Sequence, residues 1–112
     1  MARDHLILLE AGFTDPVYPG ETFICPHGNQ IEGFLAAFPE RAKTIDVDRV
    51  GFVKPRAVVA ELLGVERQSL PVLIFGDDPP ADAERANGHA FVTDTRRIPD
   101  LLHERHGFPR LH

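Results

Sequence analysis

The amino-acid sequence predicts an α/β domain in the order strand, helix, strand, helix, strand, strand, helix (βαβαββα), with a mixed four-stranded sheet and three helices. Three observations carry that expectation. Short β-prone runs at residues 6–9, 45–52 and 69–75 are stopped by glycine or proline before they reach helix length. Between them, apolar residues recur at three- and four-residue spacing, which marks amphipathic helices. The last two strands follow one another with no helix between them, so an alternating pattern ends in a hairpin and the sheet is mixed.

Leu6-Ile7-Leu8-Leu9 is continuously apolar and is cut short by Gly12 and Pro16, which fits a strand buried on both faces. Residues 11–22 carry turn chemistry at Thr14-Asp15-Pro16 and Tyr18-Pro19-Gly20. A loop of that length directly before the single cysteine is a candidate cover over a site, and equally a surface excursion. After Cys25, the residues Ile31, Phe34, Leu35 and Phe38 fall on one helical face; Pro26 suits the first turn and Pro39 ends the element. Ile45, Val47, Val50 and Phe52 alternate with polar residues as a second strand, with an irregularity expected near Asp48. Pro55 opens a second helix through Leu63, and Gly64 is its expected C-cap.

Pro71 begins the third strand, where a missing donor is tolerated. A polar connection through Asn87-Gly88, too long for an ideal two-residue hairpin, leads to a short fourth strand at Ala90-Phe91-Val92. Thr93-Asp94-Thr95 reads as an N-cap cluster for a last helix through Ile98, Leu101 and Leu102, ended by Gly107. The first two strand connections are expected to be right-handed crossovers. Phe34, Phe38 and Phe52 are expected in the core, and Arg96, Arg97 and Arg105 on a solvated face.

With 112 residues, the chain is expected to form one domain spanning residues 1–112. A net charge of −5 argues against a nucleic-acid partner, because phosphate binding gains from a basic face. No apolar run approaches the roughly 20 residues of a membrane span, and Met1 to His5 lead into a strand without a signal-peptide core. A cytoplasmic location and no membrane association are therefore expected. The one cysteine excludes an internal disulfide, so any redox chemistry needs an outside thiol or a second chain. A reducing compartment suits that best, and a homodimer is compatible with it.

Three segments carry a resemblance. Cys25-Pro26-His27-Gly28 looks like the C-x-x-C active-site motif of the thioredoxin-like superfamily with its second cysteine replaced by glycine. Leu70-Pro71-Val72-Leu73 looks like that superfamily's cis-proline strand. Asp94-Thr95-Arg96-Arg97-Ile98, followed by Leu102 to Gly107, is similar to the acidic-Ser-x-x-Ile segment and last helix of glutathione transferase N-terminal domains. The chain thus resembles the thioredoxin-like superfamily, in particular glutaredoxins and those transferase domains. It also looks like an uncharacterised bacterial thioredoxin-like family known only as a domain of unknown function.

The resemblance implies that Cys25 stands at a helix N-terminus facing a cis peptide at Pro71. A thiol so placed lies near unsatisfied N–H groups that favour the thiolate, and such thiols can have a pKa lowered from about 8.5 toward roughly 3.5 to 7.5. His27 could add charge, although residues two apart on a helix do not face each other. By the same resemblance, the Leu70 backbone would pair with an extended peptide such as glutathione, while Asp94 and Thr95 would hold its terminal amine and carboxylate. The competing readings are an inert, partly buried Cys25 and an Asp94 or Thr95 that only caps the helix. Gly28 stands where a resolving cysteine would be, and a transferase needs a helical second domain, so neither family activity is expected whole. His103 and His106, three apart, lack a third placed ligand, and no metal site is expected.

The leading expectation is a monothiol thiol-disulfide or glutathione-linked oxidoreductase: Cys25 reacts, and Pro26, His27, Gly28, Leu70, Pro71, Asp94 and Thr95 bind the substrate. It has no cofactor, and glutathione would be its co-substrate. The alternative is a non-catalytic binding or subunit module that holds glutathione or a peptide.

Overall fold

A computed structural model describes residues 2–112. The chain runs β1 (His5–Leu9), α1 (Pro26–Ala37), α2 (Pro39–Ala42), β2 (Asp46–Val50), α3 (Ala57–Leu63), β3 (Val72–Ile74), β4 (Glu84–Ala86), β5 (His89–Val92) and α4 (Arg97–His106). One mixed sheet holds the strands in the order β2-β1-β3-β5-β4. Among the described residues the sheet has five strands, not four, and there are four helices, not three.

The extra strand is β4, whose residues Glu84-Arg85-Ala86 lack the apolar alternation that sequence reasoning looks for. It pairs antiparallel with β5, Ala86 opposite His89. Asn87 and Gly88 therefore form a two-residue turn, both at positive φ (51° and 80°), as the mirror-image hairpin turns require. The connection between β3 and β5 thus contains both a strand and a two-residue turn, contrary to the expectation of a loop too long for such a turn. Asn87 Nδ2 also donates to the carbonyls of Glu61 (3.3 Å) and Leu62 (3.2 Å), tying the hairpin to the end of α3. The extra helix, α2, is a single turn opened by Pro39, where an ending of α1 was expected.

β1 is central. It runs parallel to β2 and antiparallel to β3, so β2 and β3 point in opposite directions and their connection is not a crossover between parallel strands. The β1–β2 register continues unbroken through Asp48, opposite Ile7, so the irregularity expected there is absent. Leu6, Ile7 and Leu8 are fully buried because both faces of the sheet are covered. Leu6 and Leu8 join Ile31 and Leu35 of α1, and Ile98, Leu101 and Leu102 of α4, in one core. Ile7 points the other way, into a second core with Val59 and Leu63 of α3. Each such leucine or isoleucine contributes about 1.5–3 kcal/mol by leaving water.

Phe108, fully buried, seals the α1–α4 core edge-on to Phe34 and Phe38. Phe38 itself is 40% exposed, because the chain turns into α2 there, and Phe34 and Phe52 are only half-buried. Those three phenylalanines are thus at the margins of the core, not within it.

The strand directions sort the molecule into two poles. At one, β1, β2 and β5 end, β3 begins, and α1, α3 and α4 start. At the other lie Asp4, Gly76 and the end of α4. There the carboxylate of Asp4, 4% exposed, accepts two hydrogen bonds from Arg105 (2.7 and 2.9 Å), one from the Gly76 N–H (3.0 Å) and one from His106 Nε2 (2.8 Å). Arg105 also donates to the carbonyls of Asp77 and Asp78, and its guanidinium lies 4.8 Å from the Phe75 ring centroid. It is a linchpin between the N-terminal segment and α4 and not part of a solvated face; Arg97 is likewise paired, with Asp82 and Glu104. Burial raises the Asp4 carboxyl, but the hydrogen bonds from His106, Arg105 and Gly76, with the Arg105 charge, outweigh it and hold the group far below the ordinary carboxylate range.

β2 and β4 are the margins of the sheet. On β2, Asp46 pairs with Arg3 (2.9 Å), Asp48 with His5 (2.7 Å) and Arg49 with Glu32 (2.6 Å); on β4, Glu84 and Arg85 are exposed. No helix among the described residues is long and apolar enough to cross a membrane.

Candidate functional site

α1 is amphipathic enough to bury Ile31 and Leu35, and its packing fixes where its first turn stands. Cys25 is the N-cap, in extended conformation, with Pro26 in the first turn, where a missing N–H leaves nothing unpaired. The Cys25 carbonyl accepts from the Asn29 N–H (2.8 Å), and its Sγ accepts from the Gly28 N–H (3.4 Å). The thiol thus does what a serine or aspartate does at other helix starts, holding a backbone donor that the helix leaves open. Cys25 is half-buried and unbonded to other sulfur. Gly28 is buried directly behind it: a Cβ there would lie 3.4 Å from Cys25 Cβ and 3.6 Å from Sγ.

The loop before Cys25 is pinned. Phe13 and Phe23 pair as an isolated antiparallel bridge, with Gly12 N–H to Phe23 O and Phe23 N–H to Phe13 O both at 2.8 Å. Phe13 then stacks on Phe52 after β2 (4.9 Å between centroids), and Tyr18 meets Phe23 edge-on (5.7 Å). This aromatic cluster anchors residues 11–24 to the β2–α3 connection. It leaves Val17, Tyr18, Ile24 and Val53 more than half exposed.

The polypeptide returns to the same pole at Leu70 and Pro71, half-buried and buried respectively, and the peptide bond between them is cis, as is Lys54–Pro55. By register, Ile7 of β1 faces Val72, so Pro71 stands beside the end of β1. β5 ends there too and delivers Asp94 and Thr95. Asp94 Oδ1 accepts from the N–H groups of Arg96 (2.8 Å) and Arg97 (3.3 Å), and its carbonyl accepts from Arg97 and Ile98. Asp94 is therefore a working cap of α4, and it lines a cleft of about 260 Å³ with Asp82, Glu84 and Arg97.

Topology brings all eight expected site residues to one pole, where Gly28 N–H to Cys25 Sγ is the one side-chain hydrogen bond between two of them among the described residues. No hydrogen bond among the described residues links Cys25 to His27, Leu70 or Asp94. His27 is exposed. His103 and His106 lie at the other pole with structural partners: His103 Nδ1 meets the Phe108 carbonyl at 2.8 Å, and His106 bridges Asp4 and Thr44. No group of three metal-ligating side chains occurs among the described residues.

Sequence reasoning missed Arg56. It sits between β2 and α3, 9% exposed, with its guanidinium bonded to the carbonyls of Phe52 and Gln68. A signal was present: Arg56 opens an apolar helix, and a cation at a helix N-terminus opposes the macrodipole.

A family model described as Protein of unknown function (DUF3088) matches residues 3–110. No curated protein and no solved structure matches the chain.

Proposed function

The chain belongs to the DUF3088 family of proteins of unknown function, and from its own residues we propose that it is a monothiol thiol-disulfide oxidoreductase on a thioredoxin-like fold, working with glutathione. One observation carries the reading: the Cys25 sulfur is the N-cap acceptor of a 12-residue helix, 3.4 Å from the Gly28 N–H. A helix N-terminus stabilises negative charge, and the thiolate is the nucleophile in disulfide exchange. Setting aside α2 and β4, the remaining elements run βαβαββα, which supports the fold assignment.

The chemistry balances with one thiol in the protein. The Cys25 thiolate attacks the glutathione sulfur of a mixed disulfide, forming a Cys25–glutathione disulfide and expelling the substrate as its thiolate. A second glutathione thiolate then attacks the glutathione sulfur of that disulfide, releasing oxidised glutathione and restoring Cys25. The substrate is reduced, two glutathione units end as one disulfide, and no second protein cysteine is consumed. The test is deglutathionylation of a peptide disulfide followed by mass spectrometry. A glutathione adduct on Cys25 and loss of turnover in Cys25→Ser are expected; exchange no faster than with glutathione alone, or undiminished in Cys25→Ser, would sink the proposal.

A second reading is a binding or subunit module without turnover. The exposure of Val17 (74%), Tyr18 (52%), Ile24 (53%) and Val53 (60%) at this same pole favours it. Under that reading, partner or glutathione binding survives Cys25→Ser, and calorimetry with millimolar glutathione tests the glutathione arm directly.

A further inference from the structure

Among the described residues Arg56 is the one buried arginine, and it has no acidic partner. Arg3, Arg49, Arg67, Arg97 and Arg105 each stand within ion-pair distance of a carboxylate, whereas Arg56 occurs in none of the ion pairs among the described residues. Its acceptors are neutral. Nε and Nη2 donate to the Phe52 carbonyl (2.9 and 2.7 Å) and Nη1 to the Gln68 carbonyl (2.7 Å). The Gln68 side chain accepts from the Arg56 backbone N–H (2.6 Å) and is itself held by the Val65 carbonyl (2.7 Å). A guanidinium has five N–H groups, so one on Nη1 and one on Nη2 are left over. Charged donors of this kind are suited to the oxygens of a carboxylate.

The Phe52 ring, 5.3 Å from the guanidinium carbon, offers it only partial compensation. Burial alone pulls the Arg56 guanidinium below its ordinary value, with no acidic neighbour opposing the shift. Arg105 gives the contrast within the same molecule: it is comparably enclosed, and there the fold supplies Asp4.

Arg56 lines a cleft of about 470 Å³ with Pro16, Phe52, Val53, Lys54 and Ser69. That volume is in the range of small-molecule sites. Its walls are an aromatic ring and two aliphatic side chains; its polar groups are two cations and a hydroxyl, with no carboxylate. We propose that this cleft binds a small organic acid, its carboxylate accepting from the unused N–H groups of Arg56 near Lys54 and its apolar body lying against Phe52 and Val53. The site stands on different residues from the thiol chemistry and does not depend on it.

The test uses the full chain with benzoate as probe and benzamide, the same shape without charge, as control, reading arginine side-chain N–H signals by nitrogen-resolved NMR. A saturable shift of the Arg56 Nε–H with benzoate and none with benzamide is expected. Val53→Trp, at an exposed position that fills the cleft without touching the core, should weaken benzoate binding at least tenfold. No saturable response at tens of millimolar benzoate, an equal response to benzamide, or unchanged affinity in Val53→Trp would overturn the site. Inorganic phosphate binding as tightly as benzoate would overturn the organic-acid assignment, since phosphate has no apolar body.

Discussion

Replacing Gly28 by cysteine should let the first turn of α1 close a disulfide with Cys25. A Cβ on residue 28 would lie 3.4 Å from Cys25 Cβ, at the short edge of the roughly 3.5–4.5 Å that disulfides span, so a shift of a few tenths of an ångström suffices. Gly28 is not among the residues at positive φ, so a side chain there meets no backbone penalty. Closing a four-residue loop removes unfolded-state entropy worth about 2 kcal/mol at 25 °C in the chain-entropy treatment. At ~2 cal/mol/K per residue, that corresponds to a rise in Tm of about 8 °C for the oxidised over the reduced variant. The assay is a free-thiol count after mild oxidation, followed by thermal unfolding of the Gly28→Cys protein with and without reductant. A count that stays at two thiols per chain, or intermolecular dimers in place of the internal bridge, would refute the placement of Gly28 behind Cys25.

Asp4→Asn should destabilise the fold by roughly 3–5 kcal/mol, because it leaves Arg105 enclosed without its counter-charge; denaturant unfolding reads this. The Asp4 carboxyl is depressed in the folded state, so its contribution is complete above the unfolded value of about 4 and is lost as pH falls below it; the wild type should lose stability over that acid range more steeply than Asp4→Asn. Gly76→Ala should cost about 1–3 kcal/mol, since its Cβ would stand 2.7 Å from the Arg3 carbonyl oxygen and closer still to Ala2, where backbone must move. Asp94→Ala should cost about 1 kcal/mol by uncapping α4, and an unchanged Tm would show that Asp94 is not needed as a cap.

The elements with apolar rhythm were legible in the sequence, and those without it were not. β1 could be read from four consecutive apolar residues, and α1 from Ile31, Phe34 and Leu35, because burial dictates both patterns. β4 could not, since Glu84-Arg85-Ala86 is a strand only because β5 offers it a ladder; Asn87-Gly88 was the available hint, and the turn it makes was overlooked. At the candidate site, Cys25 as a helix start and Asp94 as a cap follow from local chain chemistry. Arg56 and Arg105 do not, because whether an arginine is solvated or enclosed depends on segments far away in sequence: Gln68 for one, Asp4 for the other.

The ion pairs along β2 have a consequence for how the molecule behaves in a crowded solution. An unpaired strand margin is a template on which another chain's strand can add, and repeated addition is how sheets grow into fibres. Any newcomer docking on β2 would have to strip water from Asp46, Asp48 and Arg49, and on β4 from Glu84 and Arg85. Self-templated growth is thus opposed at both ends of the sheet, and the exposed apolar side chains at the pole of Cys25 lie on loops, where no ladder can extend from them.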